Sequence, residues 1–357
     1  MIYRPVDESG DSHRRLEAAG CEVVVAAANA DLATLKSIAR GADVLLGATF
    51  RGVIDRAFLT LSPDLRIVAK YTIGVDDVDL DTATELGVLV THCPTEANWG
   101  GVAEGAMAML LTLLKRVRER DAKVKSGGWR EPPIYGTYLG RRADGYPGIT
   151  IGIVGLGRAG SRLAELLKPW RVRVIAADPY VESGKFARAG VERRDLDTLL
   201  READVVSLHC NLTAETRGLI DRRRLALMKP TAVLVNTARG VVVDVDALCD
   251  ALEARTLAAA ALDVLPEEPP PRGSRVLSLG DRILLAPHMI AGNQGGTLGA
   301  AIPWAADAAL AALRGTLPDC VYNTEAIVKW QGRFGGTSLL AESGPDDQRA
   351  EPVEDVR

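Results

Sequence analysis

The chain lacks the marks of several protein classes. Its five cysteines (Cys21, Cys93, Cys210, Cys249 and Cys320) are scattered, with no C-x-x-C spacing. An odd number of isolated thiols in a chain this long argues against a disulfide framework or a metal site, and for free thiols in a reducing compartment. No apolar run approaches the roughly 20 residues that span a bilayer; the longest covers 106–114. Residues 1–5 (MIYRP) lack the layout of a secretory leader, so a soluble, cytoplasmic protein with no membrane partner is expected. Charge shows no excess either. Lys and Arg number 43 against 47 Asp and Glu, interspersed, for a net charge of −4. That leaves no basic face for nucleic acid.

What the chain does have is glycine in a set arrangement. At 357 residues, with 47% hydrophobic and 25% charged, it has ordinary globular composition and material for two cores. An apolar run at 149–154 leads into Gly155-Leu156-Gly157-Arg158-Ala159-Gly160, and an amphipathic run at 161–170 follows. A second apolar run, 172–177, ends in Asp178, 18 residues past Gly160. In a strand–turn–helix–strand setting each piece has a task. Gly155 permits a tight turn, Gly157 lets the backbone approach a pyrophosphate, and Gly160 lets the helix pack on the strand. The phosphates then meet the positive N-terminus of that helix. The Asp178 carboxylate is spaced to hold an adenosine ribose and repels a 2′-phosphate, so the cofactor expected is NAD.

Around this fingerprint, short apolar runs alternate with helical patterns. Residues 21–26, 44–48, 66–70 and 88–91 read as buried strands, with helices at 13–19, 31–40, 55–61 and 79–86. A long helical pattern from 102 to about 125 ends at Gly127-Gly128 and carries the chain into a second domain. Residues 129–147, rich in Gly, Pro, Tyr and Arg, read as an irregular arm, covering a partner subunit or lying as a surface loop. From 149 the alternation resumes, with strands at 172–177, 205–209, 232–236, 258–264 and 283–286 and an Ala-rich helix at 297–314. Such repeats predict two doubly wound parallel sheets in an α/β protein. From about residue 329 the sequence turns polar and acidic without periodicity, and disorder is expected there.

Few side chains are placed for chemistry. Of four histidines, His13 lies in a helical pattern, while His92, His209 and His288 all end expected strands, so position alone does not choose. The preceding Pro287 and the place of His288 after a strand of the fingerprint domain favour it. Arg239, followed by Gly240, ends another strand, where a permanently charged fork suits a substrate carboxylate. Glu267-Glu268-Pro269 follows Asp263-Val264 near the same rim. An acid beside a histidine fixes its tautomer and stabilises the imidazolium that a general acid needs. On the residues alone, a surface ion pair stays open for Arg239 and a solvated loop for the glutamates.

Taken in order, these motifs resemble the D-isomer-specific 2-hydroxyacid dehydrogenases, the family of phosphoglycerate, glycerate and D-lactate dehydrogenases, from about residue 44 to 323. The resemblance makes GLGRAG with Asp178 the NAD site and VAE at 102–104 the start of an interdomain helix. LVNTARG at 234–240 is similar to the catalytic arginine segment, which gives that role to Arg239. ALDV at 261–264 with the glutamate directly before Pro269 selects Glu268, and Pro287-His288 makes His288 the acid/base. The resemblance also implies that Thr237, Ala238 and Asp263 hold the nicotinamide, beside Arg239 and His288. Ile73, Gly74 and Val75 would offer backbone amides to the substrate carboxylate, and His209 would edge the adenine site. Two departures stand out. Met289-Ile290-Ala291-Gly292 replaces the small glycine-rich residues usual after the histidine, which bears on the substrate pocket, and Asn211 replaces a common proline.

The expectation is a Rossmann NAD domain at 102–295 and a flavodoxin-like substrate domain from 1–101 and 296–328, with the active site in the cleft and a disordered tail at 329–357. The expected reaction is hydride transfer between NAD(H) and a small anionic 2-hydroxy or 2-oxo acid, by Arg239, Glu268 and His288, in a homodimer without a metal. No regulatory domain is expected after residue 323. Phosphite or formate oxidation on the same fold is one alternative, although formate enzymes resembling this family carry Gln in place of Glu268. An NAD(H)-sensing corepressor is the other, and the missing basic surface counts against it. Arg51, Arg130, Arg141 and Arg142 are candidates for a second anionic group on the substrate, or plain surface charges.

Overall fold

Strands of two to five residues, most of them apolar, pair edge to edge in two all-parallel sheets, each serving a unit of its own. The computed structural model describes residues 2–3, 10–27, 30–48, 54–292 and 299–340. One unit is drawn from Met1–Thr95 with Leu298–Arg357, the other from Glu96–Thr297.

The first unit carries β1 (Ile2–Tyr3), β2 (Val25–Ala26), β3 (Val44–Gly47), β4 (Ile67–Lys70) and β5 (Leu89–Thr91), in the order β2-β1-β3-β4-β5. That is the flavodoxin-like winding. The connecting helices begin where the sequence places aspartate. Asp31, Asp55 and Asp79 each accept a hydrogen bond from the backbone N–H three residues on, satisfying a donor that the helix start leaves orphaned. Two strands differ from expectation. The run 21–26 yields only Val25–Ala26, and β1 is too short to show any periodicity.

The last described helices return to this unit. The helix Ile302–Leu313 buries Ala305, Ala308, Ala309 and Ala312 with β3 and β4 residues. Alanine leaves little more than backbone width between helix and sheet. The disorder expected from residue 329 does not begin there. Ile327–Phe334 is a helix whose Trp330 is fully buried and donates Nε1–H to the Arg66 carbonyl at 3.0 Å. The Arg66 guanidinium in turn donates to the carbonyls of Ala312, Leu313 and Thr337. Two aromatic positions four apart carry this helix, too few to register as a period. Residues 341–357 of the expected tail lie outside the described residues, as does Arg51.

The second unit holds β6 (Thr150–Val154), β7 (Arg173–Ala177), β8 (Glu192–Arg193), β9 (Val205–Leu208), β10 (Val233–Asn236), β11 (Ala259–Leu262) and β12 (Ile283–Leu285). Their order, β12-β11-β10-β9-β6-β7-β8, reverses between β6 and β9. This doubly wound arrangement places its topological switch point after those two strands. The helix Glu96–Leu114 packs Ala103, Ala106 and Leu110 in the core with Ile151, Ile153 and Val235. It starts six residues before the expected 102 because Gly100 and Gly101 interrupt the apolar period. It also breaks at Arg116 (φ +53) before a second helix, Val117–Lys125. The arm at 129–147 is irregular apart from the turn Pro132–Ile134, and it exposes Trp129, Tyr135 and Tyr138. Among the described residues no helix is long and apolar enough to cross a membrane.

Candidate active site

At the switch point the turn after β6 is closed by contacts only glycine permits. Gly155 has φ +91, and a Cβ there would stand 2.7 Å from Cys210 N. A Cβ on Gly160 would meet the Gly155 carbonyl oxygen at 2.1 Å, so the helix Arg158–Leu167 crosses directly over the turn. Gly157 differs, because nothing lies within 4 Å of its Cβ position and no side chain caps the helix it starts. The N–H groups of Arg158, Ala159 and Gly160 have no partner among the described residues, the arrangement that takes a phosphate.

Asp178, after β7, has a structural task that the sequence did not show. Its Oδ2 accepts from Leu156 N at 2.8 Å and its Oδ1 from Tyr180 N at 3.0 Å, so it braces the glycine turn. Two buried polar atoms at the ends of the neighbouring strands β9 and β10, His209 Nδ1 and Thr237 Oγ1, have no partner among the described residues. Burial pushes the His209 imidazole down to about 4, and its Nε2 pairs with Ser207 Oγ at 2.8 Å. A glycine cradle, an uncapped helix start and orphaned polar atoms along one sheet edge fit a dinucleotide.

Arg239, Glu268 and His288 follow the ends of β10, β11 and β12. Asn236 is fully buried. Its Oδ1 accepts from Ala238 N and its Nδ2 donates to the Arg239 carbonyl, both at 3.0 Å, which sets the turn that carries Arg239. Gly240 is required there, since a Cβ would stand 1.9 Å from the Leu265 carbonyl carbon. Arg239 Nη1 donates to the Ala238 carbonyl at 2.7 Å.

Asp263, just after β11, holds the backbone on both sides of His288. Its carbonyl accepts from His288 N at 2.8 Å, and its Oδ1 from Met289 N at 3.0 Å and Ile290 N at 3.2 Å. These bonds support His288 at φ +54, a left-handed conformation uncommon for any residue but glycine. Burial pushes the Asp263 carboxyl up, and the two backbone N–H groups oppose it. Ile290 is pinned in turn against Gly105 of the helix Glu96–Leu114, where a Cβ would meet Ile290 Cγ1 at 2.2 Å.

Glu268 Oε1 accepts from Leu265 N at 2.9 Å, and its Oε2 meets His288 Nδ1 at 2.7 Å. Burial pushes the Glu268 carboxyl up. The His288 bond, the Leu265 N–H and the charges of His288 and Arg239 outweigh it, and the group is held below its ordinary value. The structure thus joins Arg239, Glu268, Asp263 and His288. It leaves Glu267 exposed, with no hydrogen bond among the described residues. Asn236, and the hold of Asp263 on the 288–290 backbone, were not anticipated. An Asn closing a strand before a turn is the signal that pointed to the first.

Ile73, Gly74 and Val75 follow β4 in the first unit, and none of their N–H groups has a partner among the described residues. Of the candidate arginines, Arg130 and Arg141 are exposed, while Arg142 pairs with Asp144 and stacks on Tyr138 and Tyr146.

Residues 107–290 match the family described as D-isomer specific 2-hydroxyacid dehydrogenase, NAD binding domain. The chain is 39% identical over 311 residues to a glyoxylate reductase of Aeropyrum pernix, a match covering 84% of this chain and 89% of that one. It is 41% identical over 216 residues to a D-3-phosphoglycerate dehydrogenase of Mycobacterium leprae, 60% of this chain but only 39% of that longer protein. Among solved structures, a D-lactate dehydrogenase from Aquifex aeolicus complexed with NAD and lactic acid is 25% identical, with a TM-score of 0.77 over 95% of this chain and 99% of that one. The chain therefore belongs to the D-isomer specific 2-hydroxyacid dehydrogenase family and is an NAD-dependent dehydrogenase.

Proposed function

We propose that the protein transfers a hydride between NAD(H) and a small D-2-hydroxy or 2-oxo acid, with Arg239, Glu268 and His288 as its catalytic residues. The observation that carries this reading is the 2.7 Å bond between His288 Nδ1 and Glu268 Oε2, with the other Glu268 oxygen pinned by Leu265 N–H. Bonded in this way, Nδ1 keeps its proton. Nε2 is the nitrogen left to protonate the alkoxide forming on a 2-oxo acid, or to accept the hydroxyl proton in reverse. Glu268, held ionised, fixes the tautomer and orientation of the ring through that bond. Arg239 binds the substrate carboxylate through its fork, and the amides of Ile73, Gly74 and Val75 add donors to the same group. Bound NAD(H) supplies or accepts the hydride. Gly155, Gly157, Arg158, Ala159 and Gly160 hold its phosphates, Asp178 its ribose, His209 the adenine edge, and Thr237, Ala238 and Asp263 the nicotinamide beside Arg239 and His288.

The reading carries the first unit as the substrate domain, and a cytoplasmic homodimer in which the arm's exposed Trp129, Tyr135 and Tyr138 meet the partner. NADH consumption against glyoxylate, pyruvate, hydroxypyruvate, phenylpyruvate and phosphorylated analogues tests the chemistry. One strong responder is expected, and glyoxylate comes first because a similar protein is named for it. Tight NADH binding with no acid reduced would sink the assignment.

A further inference from the structure

Four side chains that this chemistry does not use hold the loop after β4. Lys70 ends that strand fully buried, and its Nζ donates to both oxygens of Asp77 at 2.8 and 2.6 Å, so residues 71–76 are bracketed at their base. Inside the bracket, His92 Nδ1 meets the Ile73 carbonyl at 3.2 Å, and Thr72 Oγ1 donates to the Gly74 carbonyl at 2.7 Å. A carbonyl only accepts, so the His92 proton in this bond is on Nδ1. His92 is itself anchored. Its N–H donates to the Cys320 carbonyl at 3.2 Å, and its ring stands edge-on to Tyr322 at 5.2 Å.

In a trans peptide the C=O and N–H point opposite ways. Holding the Ile73 oxygen therefore aims the Gly74 N–H away from His92, and holding the Gly74 oxygen aims the Val75 N–H away from Thr72. Neither N–H has a partner among the described residues. Two successive peptide planes are thus set before any ligand arrives. Donors that need no reorientation bind an anion without an ordering cost.

We propose that His92 and Thr72 are positioning residues for the substrate carboxylate, presetting the Gly74 and Val75 amides by holding the carbonyls of the same peptide units. The proposal rests on the reading that this loop meets the carboxylate. The nucleotide turn is built from none of these residues.

The test compares His92→Leu with His92→Asn, and Thr72→Val with Thr72→Ser. Each pair removes the donor in one variant and retains it in the other. KM and kcat are measured with glyoxylate and pyruvate, and the Kd for NADH by fluorescence titration. Loss of either donor is expected to raise KM about 10- to 100-fold, the range for a lost hydrogen bond to a charged group, with kcat and the NADH Kd changed less than about threefold. Asn and Ser should recover most of the loss. KM unmoved in His92→Leu and Thr72→Val, or raised equally in the donor-keeping variants, would overturn the proposal while the wild-type turnover stood. The threonine pair decides alone if His92→Leu fails to fold. A wild type that reduces no 2-oxo acid would fell the underlying reading, and this inference with it.

Discussion

His288 shows how much support one side chain draws from its neighbours. Its backbone is left-handed, its N–H is tied to Asp263, and its Nδ1 is tied to Glu268. His288→Ala should lower kcat by about 10²- to 10⁴-fold, the usual worth of a proton donor, while fluorescence titration finds NADH still bound. Glu268 also links the pair to pH. Its folded value lies below the ordinary 4.5, so the pairing stabilises the fold above pH 4.5 and is lost as pH falls through the folded value. Urea titrations should show a stability gap between wild type and Glu268→Gln that closes as pH falls below 4.5. A gap that widens in acid would assign the sign wrongly.

Among the elements, the strand–turn–helix around Gly155 separates space needed by the fold from space needed by a ligand. A Cβ on Gly160 meets backbone at 2.1 Å, whereas one on Gly157 meets nothing within 4 Å. Gly160→Ala should therefore cost stability, about 1–3 kcal/mol for overpacking against a rigid neighbour, and weaken NADH binding as well. Gly157→Ala should leave the urea midpoint near wild type and weaken NADH binding alone. Equal midpoints for the two variants would contradict this reading of the turn. The fingerprint was legible because its glycine spacing falls within one βα unit, although the neighbour that Gly155 makes room for, Cys210, follows the distant strand β9. Asp263 was legible only in part, since its hold on 288–290 joins the ends of two strands.

Over the whole molecule, the chain closes its first unit with elements drawn from both ends of the sequence. The helix Ile327–Phe334 returns Trp330 to the core beside Arg66. Trp330→Ala should cost about 3–5 kcal/mol, the range for removing a large buried aromatic, read as a lowered urea midpoint. A midpoint unchanged from wild type would restore the expectation that the chain is unstructured from residue 329. The composition around this helix is polar, and only its place against Arg66 reveals the burial.

The sequence by itself determined the two rounds of strand and helix, the aspartates that start the helices, and the glycine turn with Asp178. Each is a pattern confined to one strand–helix–strand stretch, where period and backbone sterics act directly. Tertiary structure decided which histidine meets the acid. His92, His209 and His288 end strands alike, yet His288 alone reaches Glu268, His209 is buried beside Ser207, and His92 holds the Ile73 carbonyl. Residues 20 apart meet only when strand order and two turns bring them together, and no local period encodes that.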